Sequence, residues 1–193
     1  MLCKILGRTV LVLAACAPLA PLAAADEAAV QGVWLKHERR VDYVGFTSLY
    51  SCDGLEDKLR LLLKAAGARD DIKIHTSCSN PFAGPSRIAD AEVAFYALAP
   101  AAAAATAAGA APPEPGVGVW KAVEFSEQRP YWLDPGDCEL VEQFDRELLP
   151  LFTTRNHVSH MSCVPHQQTV GSIQVHFEAL VPLPKQGPAP KPQ

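Results

Sequence analysis

The chain lacks any cluster of lysine and arginine. Its 17 basic residues are interspersed with 21 acidic ones, whereas a nucleic-acid binder gathers cations on one face to neutralise phosphates. Nucleic acid is therefore not an expected partner. A Cys-x-x-Cys pair is also missing, and with it both the tight thiolate cluster of a zinc site and the lowered-pKa dithiol of a thiol-exchange enzyme. Neither a Gly-x-Ser-x-Gly elbow nor a Ser-x-x-Lys motif occurs. Beyond the N-terminal segment no apolar run reaches the roughly 18 residues of a membrane-spanning helix. Aromatic residues make up only 7% of the chain.

What is present begins with an export signal. Lys4 and Arg8 form a basic start, Thr9 to Ala17 is apolar, and Ala23-Ala24-Ala25 before Asp26 reads as a small-residue cleavage site. Residues 1–25 are thus expected to be a bacterial signal peptide, and the mature chain a periplasmic or secreted protein. Leu13-Ala14-Ala15-Cys16 also resembles a lipobox, so lipidation at Cys16 and an outer-membrane lipoprotein remain the alternative. Removing residues 1–25 takes away Lys4 and Arg8 and no acidic residue, leaving 15 basic against 21 acidic side chains, about −6.

The mature chain repeats itself. A shift of 86 lays Gly118-Val119-Trp120 and Cys138 over Gly32-Val33-Trp34 and Cys52. A shift of 85 lays His160-Met161-Ser162-Cys163 over His75-Thr76-Ser77-Cys78. A shift of 82 lays Phe177 to Pro182 over Phe95 to Pro100. Three anchors in one order predict two tandem copies of a unit of roughly 65 to 70 residues. The four mature cysteines allow three pairings. If each copy closes its own bridge, Cys52 pairs with Cys78 and Cys138 with Cys163, each bridge adding about 3.5 kcal/mol in the chain-entropy model. Structural disulfides require an oxidising compartment.

Each copy reads as β-α-β-β. In the first, residues 32–100, a β-prone stretch from Val33 to Phe46 carries enough charge over Lys36 to Arg40 to suggest a bend or bulge. Asp53 and Glu56 form a capping-box-like helix start, Leu55, Leu59, Leu62, Leu63 and Ala66 follow at helical spacing, and Gly67 ends the helix. Strands follow at Ile72 to Cys78 and within Ile88 to Leu98. In the second copy, residues 118–182, strands are expected at Val119 to Phe125, Val158 to Cys163 and Ser172 to Val181, with a helix from Cys138 to Leu149 capped by Asp137. Residues 101–117, rich in Ala and Pro, read as a linker, and 183–193 as a disordered Pro-rich tail. The expected fold is α+β: one antiparallel sheet backed by two helices, with one disulfide per repeat.

Chemistry is harder to place. His75 and His160, related by the repeat and accompanied by His157, Met161 and His166, could serve a periplasmic metal. Residues three apart on a regular strand point to opposite faces, so His157 and His160 would need a bulge to share an ion, and strand histidines facing solvent are the plainer reading. Thr47, Ser48, Ser51 and Asp53 could be assembled into a hydrolytic site only on paper, and Ser51 and Asp53 already suit a helix cap. The acids Glu139, Glu142, Asp145 and Glu147 read as a solvated helix face. Tyr43, Phe46, Tyr50, Tyr131 and Trp132 lie just before the two helices, where the copies differ most, and are the expected binding surface unless they are core.

Around Tyr43-Val44-Gly45-Phe46, Tyr50 to Leu55 and Asp137 to Glu142 the chain resembles an uncharacterised group of exported proteobacterial proteins. The resemblance implies export and carries over no activity. The expectation is a non-enzymatic, disulfide-stabilised binding protein of the bacterial cell envelope, whose partner is an envelope protein or component, with no cofactor. A periplasmic metal-binding protein using His75 and His160 is the alternative.

Overall fold

The computed structural model describes residues 28–78, 84–102 and 113–183. The expected signal peptide, Cys16, residues 103–112 of the expected linker and residues 184–193 of the expected tail lie outside them. Six strands and two helices form an α+β fold: β1 (Val30–Val44), α1 (Cys52–Ala65), β2 (Lys73–Cys78), β3 (Ile88–Pro100), β4 (Pro115–Ser126), α2 (Cys138–Glu147), β5 (Thr154–Ser159) and β6 (Gln174–Pro182). The strands make one sheet in the order β2-β3-β1-β4-β6-β5, every neighbouring pair antiparallel. No helix among the described residues is long and apolar enough to cross a membrane.

β1 runs straight through its charged middle. Its register with β3 is unbroken from Gly32 opposite Pro100 to Val44 opposite Ile88, so the expected bulge is not there. The charges are accommodated by alternation: Lys36, Glu38, Arg40 and Asp42 all fall on one face, where Lys36 pairs with Glu38 and Arg40 with Asp42 and Asp90. The other face buries Val41 and Tyr43 of β1, Ala89, Ala91, Val93 and Phe95 of β3, Phe125 of β4 and Val175 and Phe177 of β6. Small side chains on β3 leave room for the leucines of α1.

Ser51 caps α1, its hydroxyl accepting from the Gly54 N–H, in place of the expected Asp53. The helix buries Leu55, Leu59, Leu62 and Leu63 and ends before Gly67, whose φ of 98° suits only glycine without strain. α2 buries Leu140, Val141 and Phe144 in the same core. Each such side chain removed from water contributes about 1.5–3 kcal/mol. α2 begins behind a 3-10 turn, Pro135–Asp137, closed by a reciprocal capping box between Asp134 and Asp137. It ends at Glu147, two residues before the expected end at Leu149, and Pro150 lies in a second 3-10 turn, Leu149–Leu151. The core is continuous across both halves of the chain, where Phe95 of the first stacks on Phe152 of the second at 5.0 Å.

Two strands depart from expectation. β4 starts at Pro115, so the last three residues of the expected linker are sheet. β5 spans Thr154–Ser159, earlier than Val158 to Cys163. A bulge between Arg155 and Val158, with Asn156 at φ 55°, lets both polar side chains reach Glu178 across the strand pair. Polar partners thus hold a stretch that composition alone marks as a loop. Cys52 is bridged to Cys78 and Cys138 to Cys163, with Cα separations of 5.9 and 5.6 Å. Each bridge ties the first turn of a helix to a segment of its own half.

Candidate functional site

Both helices pack on one face of the sheet, and no described helix lies over the other. Its outer parts are charged. Its centre is not. Gly32, Gly116 and Gly118 line the seam where β1 meets β4 over only four residue pairs. Leu98 and Leu180, on β3 and β6, lie against this glycine floor and are 1% and 2% exposed. A Cβ on Gly118 would stand 2.4 Å from Leu98 Cδ2, and one on Gly116 2.7 Å from Leu98 Cδ1. Glycine is therefore required for the close approach.

Trp34 and Trp120 flank these leucines, each half-buried on the same face. The Arg69 guanidinium lies 5.3 Å from the Trp34 ring centre and 4.0 Å from that of Tyr96, and Arg155 lies 4.4 Å from Trp120. Arg69 is itself fixed by Asp71 at 2.8–2.9 Å and Glu114 at 2.7 Å. Those bonds raise its pKa and hold the Asp71 carboxyl below the usual range. The Trp34 N–H donates to Glu114 O, which puts Trp120 six residues along the same line, about 20 Å away. The two tryptophans served in the sequence only as markers of the repeat. Their place on one uncovered face could have been read from strand parity once the register was known.

At one end of the sheet the two halves are joined by a buried polar clasp. The Glu139 carboxylate accepts from the N–H groups of Phe46 at 2.7 Å and Thr47 at 2.9 Å and from the Thr47 hydroxyl at 3.3 Å. The Gln143 amide both accepts from Val44 N and donates to Val44 O, at 3.1 and 2.8 Å. Asp137 accepts from the Tyr50 hydroxyl and from Lys58 Nζ, the latter at 2.6 Å. Lys58 also donates to Trp132 O at 2.7 Å and sits over the Trp132 ring. The Tyr43 hydroxyl donates to Ser48 O at 2.9 Å. Burial, then the neighbouring carboxylates, pushes the hydroxyls of Tyr43 and Tyr50 well above the ordinary tyrosine value. Every buried side-chain N or O among the described residues has a partner. Glu139 is buried, so it is not part of a solvated acidic face. Its position flanking the apolar stripe of α2, with Gln143 one turn on, is the only sequence signal of its role.

The five aromatics separate accordingly. Tyr43 is 1% exposed and belongs to the core; it contributes nothing to a surface. Tyr50 is packed edge-on against Tyr43 at 5.2 Å and bonded to Asp137, and Trp132 packs against the core beneath Lys58. Phe46 at 48% and Tyr131 at 87% remain exposed. Phe46 meets the ring of His166 edge-on at 6.2 Å, and Thr47 bonds to Val164 O. The clasp thereby fixes an exposed loop tip.

The structure does not bring the histidines together. His75 lies on β2 and His160 just past the end of β5, at opposite edges of the sheet. Five strand spacings, about 24 Å, separate those edges. His157 instead faces Asp145 of α2 at 2.7 Å. Among the described residues no group of three or more His, Cys, Asp or Glu is placed to hold a metal ion. Two of the candidate hydroxyls have structural employment: Ser51 caps α1, and Thr47 bonds to Glu139 and Val164. Comparison with protein-family models, with curated proteins and with solved structures finds no match to this chain. The site is therefore read from its own geometry.

Proposed function

We propose that the protein is a non-catalytic binding module of the bacterial cell envelope, exported and stapled by its two disulfides, whose partner engages the uncovered sheet face and the adjoining loop tip. One observation carries this reading. On the face away from the helices Trp34, Tyr96 and Trp120 stand half-buried around the buried Leu98 and Leu180, a concentration of large rings that a merely solvated sheet face does not call for. The two bridges support an oxidising compartment, and the resemblance to exported proteobacterial proteins supports the envelope. The partner is an envelope protein or component.

The same proposal includes a tandem origin. The element order β-α-β-β occurs twice, the sheet order reads the same from either edge once the halves are exchanged, and the bridges close within halves. Trp34 with Leu98 and Trp120 with Leu180 form the same cross-strand pair in each half.

The binding reading is tested by retention. Mature protein and its Ala94→Arg/Ala122→Arg variant, both altered positions lying on the uncovered face, are immobilised and exposed to solubilised envelope. Components held by the first and lost by the second, at an unchanged melting temperature, support the reading. An identical retained set contradicts it.

A further inference from the structure

We propose that a groove beside Trp34 takes an extended, proline-containing segment of a partner polypeptide that carries lysine; this rests on the binding reading above. The groove, of about 750 Å³, is walled by Trp34, Pro182 and Leu183 and rimmed by Asp70, Asp71 and Glu114, a size within the range of ordinary ligand sites. Its walls are apolar and its rim is acidic. Among the described residues Arg69 is the one cation of its lining and is spent on Asp71 and Glu114, while Lys64 reaches Asp70 at 3.5 Å from outside the lining, so three carboxylates against two cations leave one negative charge. All three carboxylates face solvent, at 84%, 48% and 67% side-chain exposure. The net charge selects a cationic segment.

The conformation of that segment follows from the backbone. A peptide adding as a strand needs free main-chain donors and acceptors along the groove. Here three of the donors are already engaged: Arg69 N donates to Tyr96 O, Trp34 N to Glu114 O, and Leu183 N to Val117 O. What the groove offers instead is an aromatic ring, a proline and a leucine side chain, with carboxylates above them. A polyproline II segment needs no main-chain partners, packs its rings on aromatic walls and projects lysines at intervals towards a rim. This matches the groove better than a β-strand does.

The test titrates a fluorescent heptapeptide, Pro-Lys-Pro-Ala-Pro-Lys-Pro, into the full mature chain, with a second peptide in which both lysines are glutamate. The lysine peptide is expected to bind at least roughly tenfold more tightly than the glutamate peptide, and to weaken roughly fivefold in an Asp70→Asn/Glu114→Gln protein. Equal affinity for the two peptides, or no binding of either, overturns the proposal without any appeal to the variant's folding. A chain ending at Leu183 supplies the last arm. If it binds the lysine peptide more than about tenfold more tightly than the full chain does, the groove belongs to this chain's own residues 184–193, and the partner assignment is wrong. Envelope components that depend on Ala94 and Ala122 while both peptides fail would leave the binding module standing and remove only this groove.

Discussion

Glu139 shows how a single side chain escapes a sequence reading. By composition it is one of four acids on α2, and acids on a helix usually face water. The structure buries it because α2 carries β1's end on its flank, and two successive N–H groups, of Phe46 and Thr47, have no ladder partner there. The buried donors need an acceptor, and only the tertiary arrangement reveals them. Glu139→Ala should therefore cost about 2–4 kcal/mol in urea unfolding, since it strands both donors; Glu139→Gln, which keeps an acceptor oxygen, should cost less. A loss below about 0.5 kcal/mol for the alanine variant would show that water replaces the carboxylate without penalty. The tyrosines make a pH prediction. Tyr43 and Tyr50 keep their protons in the folded protein well above the ordinary value of 10.0, whereas the unfolded chain loses them near it. Above about pH 10 the native state thus holds more protons, and stability must fall as pH rises; below it the contribution is intact. The expected slope is up to about 1.4 kcal/mol per pH unit for each tyrosine. Urea melts between about pH 9 and 11.5 should show a shallower fall in Tyr50→Phe, and an unchanged slope would remove Tyr50 from the cause.

Among elements, those with strong local signals were legible. α1 and its stop at Gly67 follow from leucine spacing and one glycine, and the bridges Cys52–Cys78 and Cys138–Cys163 are the pairing expected if each half closes its own. β1, β3 and β6 lie close to where alternation places them. The failures have a common physical root, which is that cross-strand polar contacts recruit residues whose local preference is for a loop. Arg155 and Asn156 enter β5 through Glu178, and Pro115 to Val117 enter β4 because β1 offers an open edge there. The positions of Trp34 and Trp120 on a shared face depended on register, which no local signal supplies. The disulfides give the prediction at this scale. Replacing Cys52 and Cys78 together by serine should cost about 2–5 kcal/mol. Because Cys52 opens α1 and Cys78 ends β2, hydrogen exchange should quicken first in those two elements. Uniform quickening across both halves would mean that the bridge stabilises the chain as one unit.

For the whole molecule, the seam is the instructive feature. Pro100 and Gly116 both lie opposite Gly32, and Pro182 and Val30 both lie opposite Gly118. The end of each half is thus two strand spacings, about 10 Å, from the start of the other. A tandem origin makes these two gaps equivalent. A circular permutant that joins Leu183 to Val30 through a short glycine-rich linker and opens the chain between residues 103 and 112 should keep the same sheet. Its stability should change by no more than about 1–2 kcal/mol, because loop closure varies slowly with length. Failure of the permutant to fold would argue that the order of the halves matters and that they are not interchangeable.

The division of labour between faces is the central claim: the helix-covered face makes the fold, and the uncovered face meets a partner. It is tested most directly by photo-crosslinking in living cells, with a photoreactive residue placed at Ala122 on the uncovered face or at Arg146 on the outer side of α2, both exposed. The account predicts a discrete adduct of higher mass from Ala122 and none from Arg146. Adducts from Arg146 alone, or none from Ala122 in cells that make the folded protein, would contradict it.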